Sequence, residues 1–268
     1  MKLLFFDVDG TLMNEERVIP ASALQALSAA KEAGNLVFVN SGRTSGMLHG
    51  VMSAVPADGF LCGCGTELLY QGRQLYYHAL SEEMKQQVMA ASDRYGVLVF
   101  LEGRSGWHCQ PSSALLETHP ALQETYERML YYVGNEGGID STPYEGAYEI
   151  SKFCVQADAA SDIEGFKKDF AQDFTLIDRR DGFYECVPKD HSKGIAVDQI
   201  LKHFGCSRED AYAFGDSTND LEMFLHCDHT IAMGQHDPAL DPYTEFVTAE
   251  VDQDGIAKAV AHFGLDKK

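Results

Sequence analysis

The apolar positions fall into two rhythms that alternate along the chain. Short unbroken apolar runs, LLFF at 3–6, LVFV at 36–39, FLC at 60–62, AYAFG at 211–215 and TIAM at 230–233, have the continuous character of strands buried on both faces of a parallel sheet. Between them lie segments with apolar residues three and four apart. ALQALSAAKEAG, opened by Pro20 and Ser22 and stopped by Gly34, predicts a helix with Leu24 and Leu27 on one face. SKGIAVDQILKHFG, a short helix from Asp216 to Leu225, and DGIAKAVAHFG after EFVT (245–248) predict others. Strands alternating with helices imply an α/β fold with a doubly wound parallel sheet.

From about residue 80 to residue 186 the rhythm changes. SEEMKQQVMAASDRY predicts a helix, and VLVFLE and WHCQ predict two strands around Gly103-Arg104-Ser105-Gly106. A less regular helical stretch runs to about Gly134, then EISKFCVQAD predicts a strand and DIEGFKKDFAQ a helix. FTLIDRR and FYECVPK flank Asp181-Gly182, a strong hairpin signal. Hairpins with helices indicate an α+β unit inserted into the parallel fold. The expected division is a core from 1–80 and 187–268 with an inserted domain over 81–186.

Composition narrows the partners. The 268 residues carry 21 Lys+Arg against 41 Asp+Glu, a formal net charge of -20, which argues against nucleic acid or an anionic membrane as a general partner. No apolar run approaches a membrane span, and MKLLFFDVDG is too short and too soon interrupted by Asp7 and Asp9 to serve as a signal peptide. The seven cysteines show no zinc-knuckle spacing and sit in apolar surroundings, so they are expected as buried free thiols in a reducing cytoplasm.

Candidate chemistry gathers at strand ends. Asp7 and Asp9 follow LLFF two apart in an extended segment, so their side chains project to the same side, where one carboxylate could be a nucleophile and the other a general acid and base. Gly10 allows a tight exit and Thr11 could offer a hydroxyl to an anion. Gly215-Asp216-Ser217-Thr218-Asn219-Asp220 ends a second run; alone it reads equally well as helix capping. Hard oxygen ligands from two strand ends suit Mg²⁺. Ser41-Gly42-Arg43 and Lys193 would pass singly for an ordinary turn and a solvated helix start.

In order, DVDGT, SGR, SKG and GDSTND resemble the four motifs of the haloacid dehalogenase-like (HAD) hydrolase superfamily, and the insertion of about a hundred residues between the second and third resembles its Cof-type branch. The resemblance implies a Rossmann-like core with an α/β cap that sets specificity, and a Mg²⁺-dependent phosphatase acting on small phosphorylated metabolites. It implies Asp7 as nucleophile and Asp9 as general acid/base, with the phosphate bound by Thr11, Ser41, Gly42, Lys193 and Asn219. The metal would be held by the Asp7 carboxylate, the Asp9 carbonyl and Asp216, with Asp220 behind them. Cys64-Gly65-Thr66 departs from the Asn-Gly-Ala frequent in that branch. Trp107, Tyr148, Tyr184 and Glu185 are the candidate cap residues for substrate. A phosphosugar mutase and a non-catalytic phosphate-binding module are the competing readings.

Overall fold

A computed structural model of the chain describes residues 1–136 and 148–268. In chain order the strands are β1 (Leu3–Phe6), β2 (Leu36–Asn40), β3 (Gly59–Cys62), β4 (Glu67–Tyr70), β5 (Arg73–Tyr77), β6 (Leu98–Gly103), β7 (Gly106–His108), β8 (Ile150–Gln156), β9 (Phe174–Asp178), β10 (Phe183–Pro188), β11 (Ala211–Gly215), β12 (His229–Ala232) and β13 (Phe246–Val247). The helices are α1 (Ala21–Glu32), α2 (His49–Ala54), α3 (Glu82–Tyr95), α4 (Ser113–Thr118), α5 (Pro120–Glu136), α6 (Ile163–Phe170), α7 (Lys193–Phe204), α8 (Leu221–Phe224) and α9 (Gly255–His262). They form two compact units, one of residues 1–42, 50–76 and 191–268, the other of 43–49 and 77–190.

The first unit is built on a sheet ordered β13-β12-β11-β1-β2-β3-β4-β5. Pairing is parallel from β13 through β3 and antiparallel between β3 and β4. β1 lies at the centre with all four residues buried, as its unbroken apolar run requires. Leu3 and Phe5 face a cluster with Phe38 of β2, Ile200 and Leu201 of α7 and Met223 and Phe224 of α8. Alternation turns Leu4 and Phe6 to the opposite face, where Phe6 stacks on Phe214 of β11 at 4.2 Å. The chain leaves β1 for β2 on one side and returns to β11 on the other. This reversal is the crevice at which open α/β sheets collect ligands beyond their carboxyl ends.

The β4–β5 pair extends this sheet beyond what the apolar runs predict. Gln71 and Gly72 between them both have positive φ, 47° and 71°, the geometry of a two-residue hairpin turn. Ser22 does not cap α1 either: Pro20 holds the N-cap position and no side chain caps the helix.

The second unit has a sheet ordered β7-β6-β8-β10-β9, antiparallel at each of its junctions. Val99, Leu101, Phe153 and Val155 on one face pack with Val88, Ala91 and Tyr95 of α3 and Phe166 and Phe170 of α6. Leu98, Phe100, Trp107 and Cys154 on the other pack with Leu115 of α4 and Leu122 of α5. The expected hairpin forms as β9 and β10, with Asp181 and Gly182 at positive φ. All seven cysteines are free, and all except the half-buried Cys206 are buried. Among the described residues no helix is long and apolar enough to cross a membrane.

Candidate active site

Neighbouring parallel strands bring the acidic residues together. Because Phe6 pairs with Phe214, the chain after β1 and the chain after β11 emerge side by side, and the Asp7 N–H donates to the Phe214 carbonyl at 3.0 Å. Asp7, Asp216 and Asp220 each offer a carboxylate oxygen to a group in which these atoms lie within 4.8 Å of one another. Lys193 enters from the first residue of α7, whose N-cap Ser192 accepts from the Ile195 N–H at 3.1 Å. Its ammonium donates to Asp7 Oδ1 and Asp220 Oδ1, both at 2.6 Å, with 1% of the residue exposed. A cation at a helix N-terminus opposes the helix dipole. The two carboxylates offset that conflict.

Each carboxylate is held differently. Asp220 is fully spoken for: Oδ1 takes Lys193, and Oδ2 accepts from the backbone N–H groups of Asp216 and Ser217 at 3.0 Å each. It therefore shapes the loop and anchors the lysine. Asp216 Oδ1 accepts the Thr11 hydroxyl at 2.9 Å. Asp7 Oδ2 and Asp216 Oδ2 take no hydrogen bond from the described residues, leaving two hard oxygens in the cluster for an added cation.

With Asp7 and Asp220 on the one ammonium and Asp216 beside them, the cluster is short of positive charge. Burial and then the nearby Asp220 carboxylate push the Asp7 carboxyl well above the usual carboxylate range, despite Lys193. Burial followed by Asp220 likewise pushes Asp216 up to about 7. Burial pulls Lys193 the other way, yet Asp220 and Asp7 outweigh it and hold the ammonium above its ordinary value. A divalent cation with a preference for hard oxygen fits this donor set.

Several expectations change in detail. β1 stops at Phe6, and the chain turns at once: the Val8 carbonyl accepts from the N–H groups of Thr11 (3.3 Å) and Met13 (2.8 Å). Asp7 is buried and Asp9 exposed. Thr11 is fully buried, and its hydroxyl donates to the Asp216 carboxylate. The Asn219 side-chain Oδ1 accepts from the Ser217 hydroxyl at 2.8 Å, whereas Lys193 is held by Asp7 and Asp220. Ser41 is buried at the end of β2, its N–H on the Leu61 carbonyl, and Gly42 follows half-buried. Cys64, buried at positive φ (55°), donates its N–H to the Ser41 carbonyl at 3.0 Å.

In the second unit Trp107 packs edge-on against Phe100, Tyr148 stacks on His108 at 3.9 Å, and the Lys167 ammonium lies 4.7 Å from the Tyr184 ring. Glu185 is buried and pairs with Lys152 at 2.6 Å, which also pairs with Glu102 at 2.8 Å. The signal for this triad was a lysine inside the apolar run ISKFCV.

Gly10 adjoins Asp216 so closely that a Cβ there would lie 2.4 Å from Oδ2, and its φ is +83°. Gly10→Ala is expected to cost about 1–2 kcal/mol from left-handed backbone alone, and to displace the Asp216 carboxylate. Gly34→Ala shares the positive φ but meets nothing within 4 Å. Thermal unfolding of the two should therefore show a larger fall in Tm for Gly10→Ala; equal falls would mean that Asp216 gives way freely.

A family profile described as haloacid dehalogenase-like hydrolase matches residues 4–260. YkrA of Bacillus subtilis (strain 168), provisionally named a phosphatase, is 26% identical over 272 residues, covering 99% of each chain. The HMP-PP phosphatase of Yersinia pestis (strain Pestoides F) is 26% identical over 277 residues, covering 98% of this chain and 95% of its own. The solved structure of the HAD subclass IIB sugar phosphatase BT4131 superposes with a TM-score of 0.79 at 26% identity, covering 99% of this chain and 100% of that one.

Proposed function

Because this chain belongs to the haloacid dehalogenase-like hydrolase family, we propose that it is a phosphoric monoester hydrolase that frees phosphate from small phosphorylated metabolites by way of a phosphoryl group carried on Asp7. The observation that carries the reading is the convergence of buried Asp7 and Lys193 with half-buried Asp216 from three separate stretches of chain. Relatives named for different substrates, a sugar phosphate and HMP-PP, support the class of substrate rather than one compound.

In the proposed reaction one oxygen of the Asp7 carboxylate attacks phosphorus in line with the ester oxygen while the other stays with the cation. The P–O bond to the alcohol breaks, and Asp9, the exposed partner, supplies the proton that the departing alcohol needs. Asp9, now ionised, takes a proton from water, which attacks the same phosphorus and returns Asp7 as a carboxylate. One ester and one water give one alcohol and one phosphate. Lys193 and Ser41 bind the phosphoryl oxygens, and buried Asp220 keeps the Lys193 ammonium in place. Asp7, the Asp9 carbonyl and Asp216 would hold Mg²⁺, which supplies positive charge to the phosphoryl oxygens and lowers the repulsion between anionic substrate and carboxylates. The inserted unit is the proposed specificity cap.

Phosphate release from a panel of phosphorylated metabolites, with and without Mg²⁺, tests the proposal. Release from several small esters at unequal kcat/KM is the expected result. Return of the phosphoryl group to a second sugar hydroxyl instead of water would make the protein a mutase, and no turnover of any ester would make it a binding module.

A further inference from the structure

Asn40 is the last residue of β2, directly before Ser41, and the one polar side chain in the run LVFVN. It is fully buried. Its Nδ2 donates to the Lys193 carbonyl at 3.0 Å and lies 3.4 Å from the Met223 sulfur, while its Oδ1 is buried without a partner. Rotating the amide by half a turn would set Oδ1 against the Lys193 carbonyl, two acceptors face to face. The orphaned oxygen is therefore built into the position.

Stability does not explain this choice. A buried acceptor with no donor is destabilising, and an aliphatic side chain of the same size would remove that cost. The helix gains little from the bond, because a carbonyl in the first turn of a helix already accepts from the N–H four residues on. What the amide does achieve is mechanical. It ties the strand that ends in Ser41 to the peptide from which the Lys193 side chain starts, across 153 residues of sequence.

Resting on the phosphatase reading above, we propose that Asn40 is a positioning residue that fixes the Lys193 ammonium relative to Ser41 for the phosphoryl group in flight. The far end of Lys193 is set by Asp7 and Asp220, and the near end by Asn40. With the near end released, the lysine keeps its ion pairs but can shift its backbone. Displacements of this size act on transition-state geometry more than on ground-state binding.

The test is Asn40→Leu, which keeps the volume and removes the orphan, with Asn40→Ala beside it. For Asn40→Leu we expect a Tm at or above wild type, a kcat on the order of tenfold lower and a KM changed by no more than about threefold. Orthovanadate, a mimic of five-coordinate phosphorus, should bind about tenfold more weakly by calorimetry, in step with kcat. A kcat within twofold of wild type overturns the proposal. So does a loss of activity that accompanies a fall in Tm, or failure of both variants to fold, since either makes the role structural. A wild type that turns over no ester sinks the phosphatase reading instead, and the vanadate comparison then decides Asn40 alone: equal affinities, or no binding to either protein, overturn it.

Discussion

Asp7→Asn should abolish phosphate release, lowering kcat by about 10⁴-fold or more, the scale of losing a covalent nucleophile. An amide keeps the size of the side chain and can still accept from Lys193, but its oxygen is a poor nucleophile and its product could not be displaced by water. The fold should survive the change. Burial and the neighbouring Asp220 push the Asp7 carboxyl upward, so the ionised group is held at a cost that the neutral amide avoids. Lys193 retains Asp220 at 2.6 Å and is not left uncompensated. The variant should therefore show a Tm no lower than wild type at pH 7.5 alongside its loss of turnover. Acid quenching of wild type with labelled ester should trap label on the Asp7 peptide, and Asp7→Asn should trap none. Substantial activity in a preparation of Asp7→Asn free of wild-type protein would remove the nucleophile from the mechanism.

The apolar runs of β1, β2, β3, β11 and β12 were readable because strands buried on both faces leave little choice of residue. The acidic and basic positions that converge on Lys193 were readable in a different way, through the order of short motifs. Neither kind of signal carries cross-chain detail. Thr11 looks in sequence like a hydroxyl for an anion, yet its partner is Asp216, 205 residues away. Asn40 passes as the polar end of an apolar strand, and only the packing of α7 over β2 gives it a task. The turn that follows β1 at once, with Gly10 at φ +83°, is likewise not announced by an apolar run that continues into Val8. The β4–β5 edge was missed because ELLY and RQLYY are short and half exposed, where periodicity is weakest. The Glu102–Lys152–Glu185 triad shows the same limit, since three strands distant in sequence must pair before the charges meet.

Stripping divalent cations with a chelator should lower turnover by about 10³-fold or more, the several kcal/mol that a metal ion lends to charge in a phosphoryl transition state. Mg²⁺, and not sodium at equal ionic strength, should restore it. Asp7, Asp216 and Asp220 cluster around a single ammonium, which pairs with Asp7 and Asp220 alone, and a phosphate ester bound there would add further negative charge. The same cluster sets a pH dependence with a definite sign. Burial and then Asp220 push the Asp216 carboxyl up to about 7 in the fold, against about 4 in the unfolded chain, so between those values the folded protein binds more protons. Metal-free stability should accordingly fall as pH rises from about 4 to about 7. Protons compete with the cation for the same carboxylate, so apparent Mg²⁺ affinity should weaken by up to about tenfold for each pH unit below about 7. The rise in Tm on adding excess Mg²⁺ should then be larger at pH 8 than at pH 6, because stabilisation grows with the ratio of cation to dissociation constant. A shift that is the same at both values would place the cation on groups other than Asp216, and full activity in chelator would remove it from the reaction.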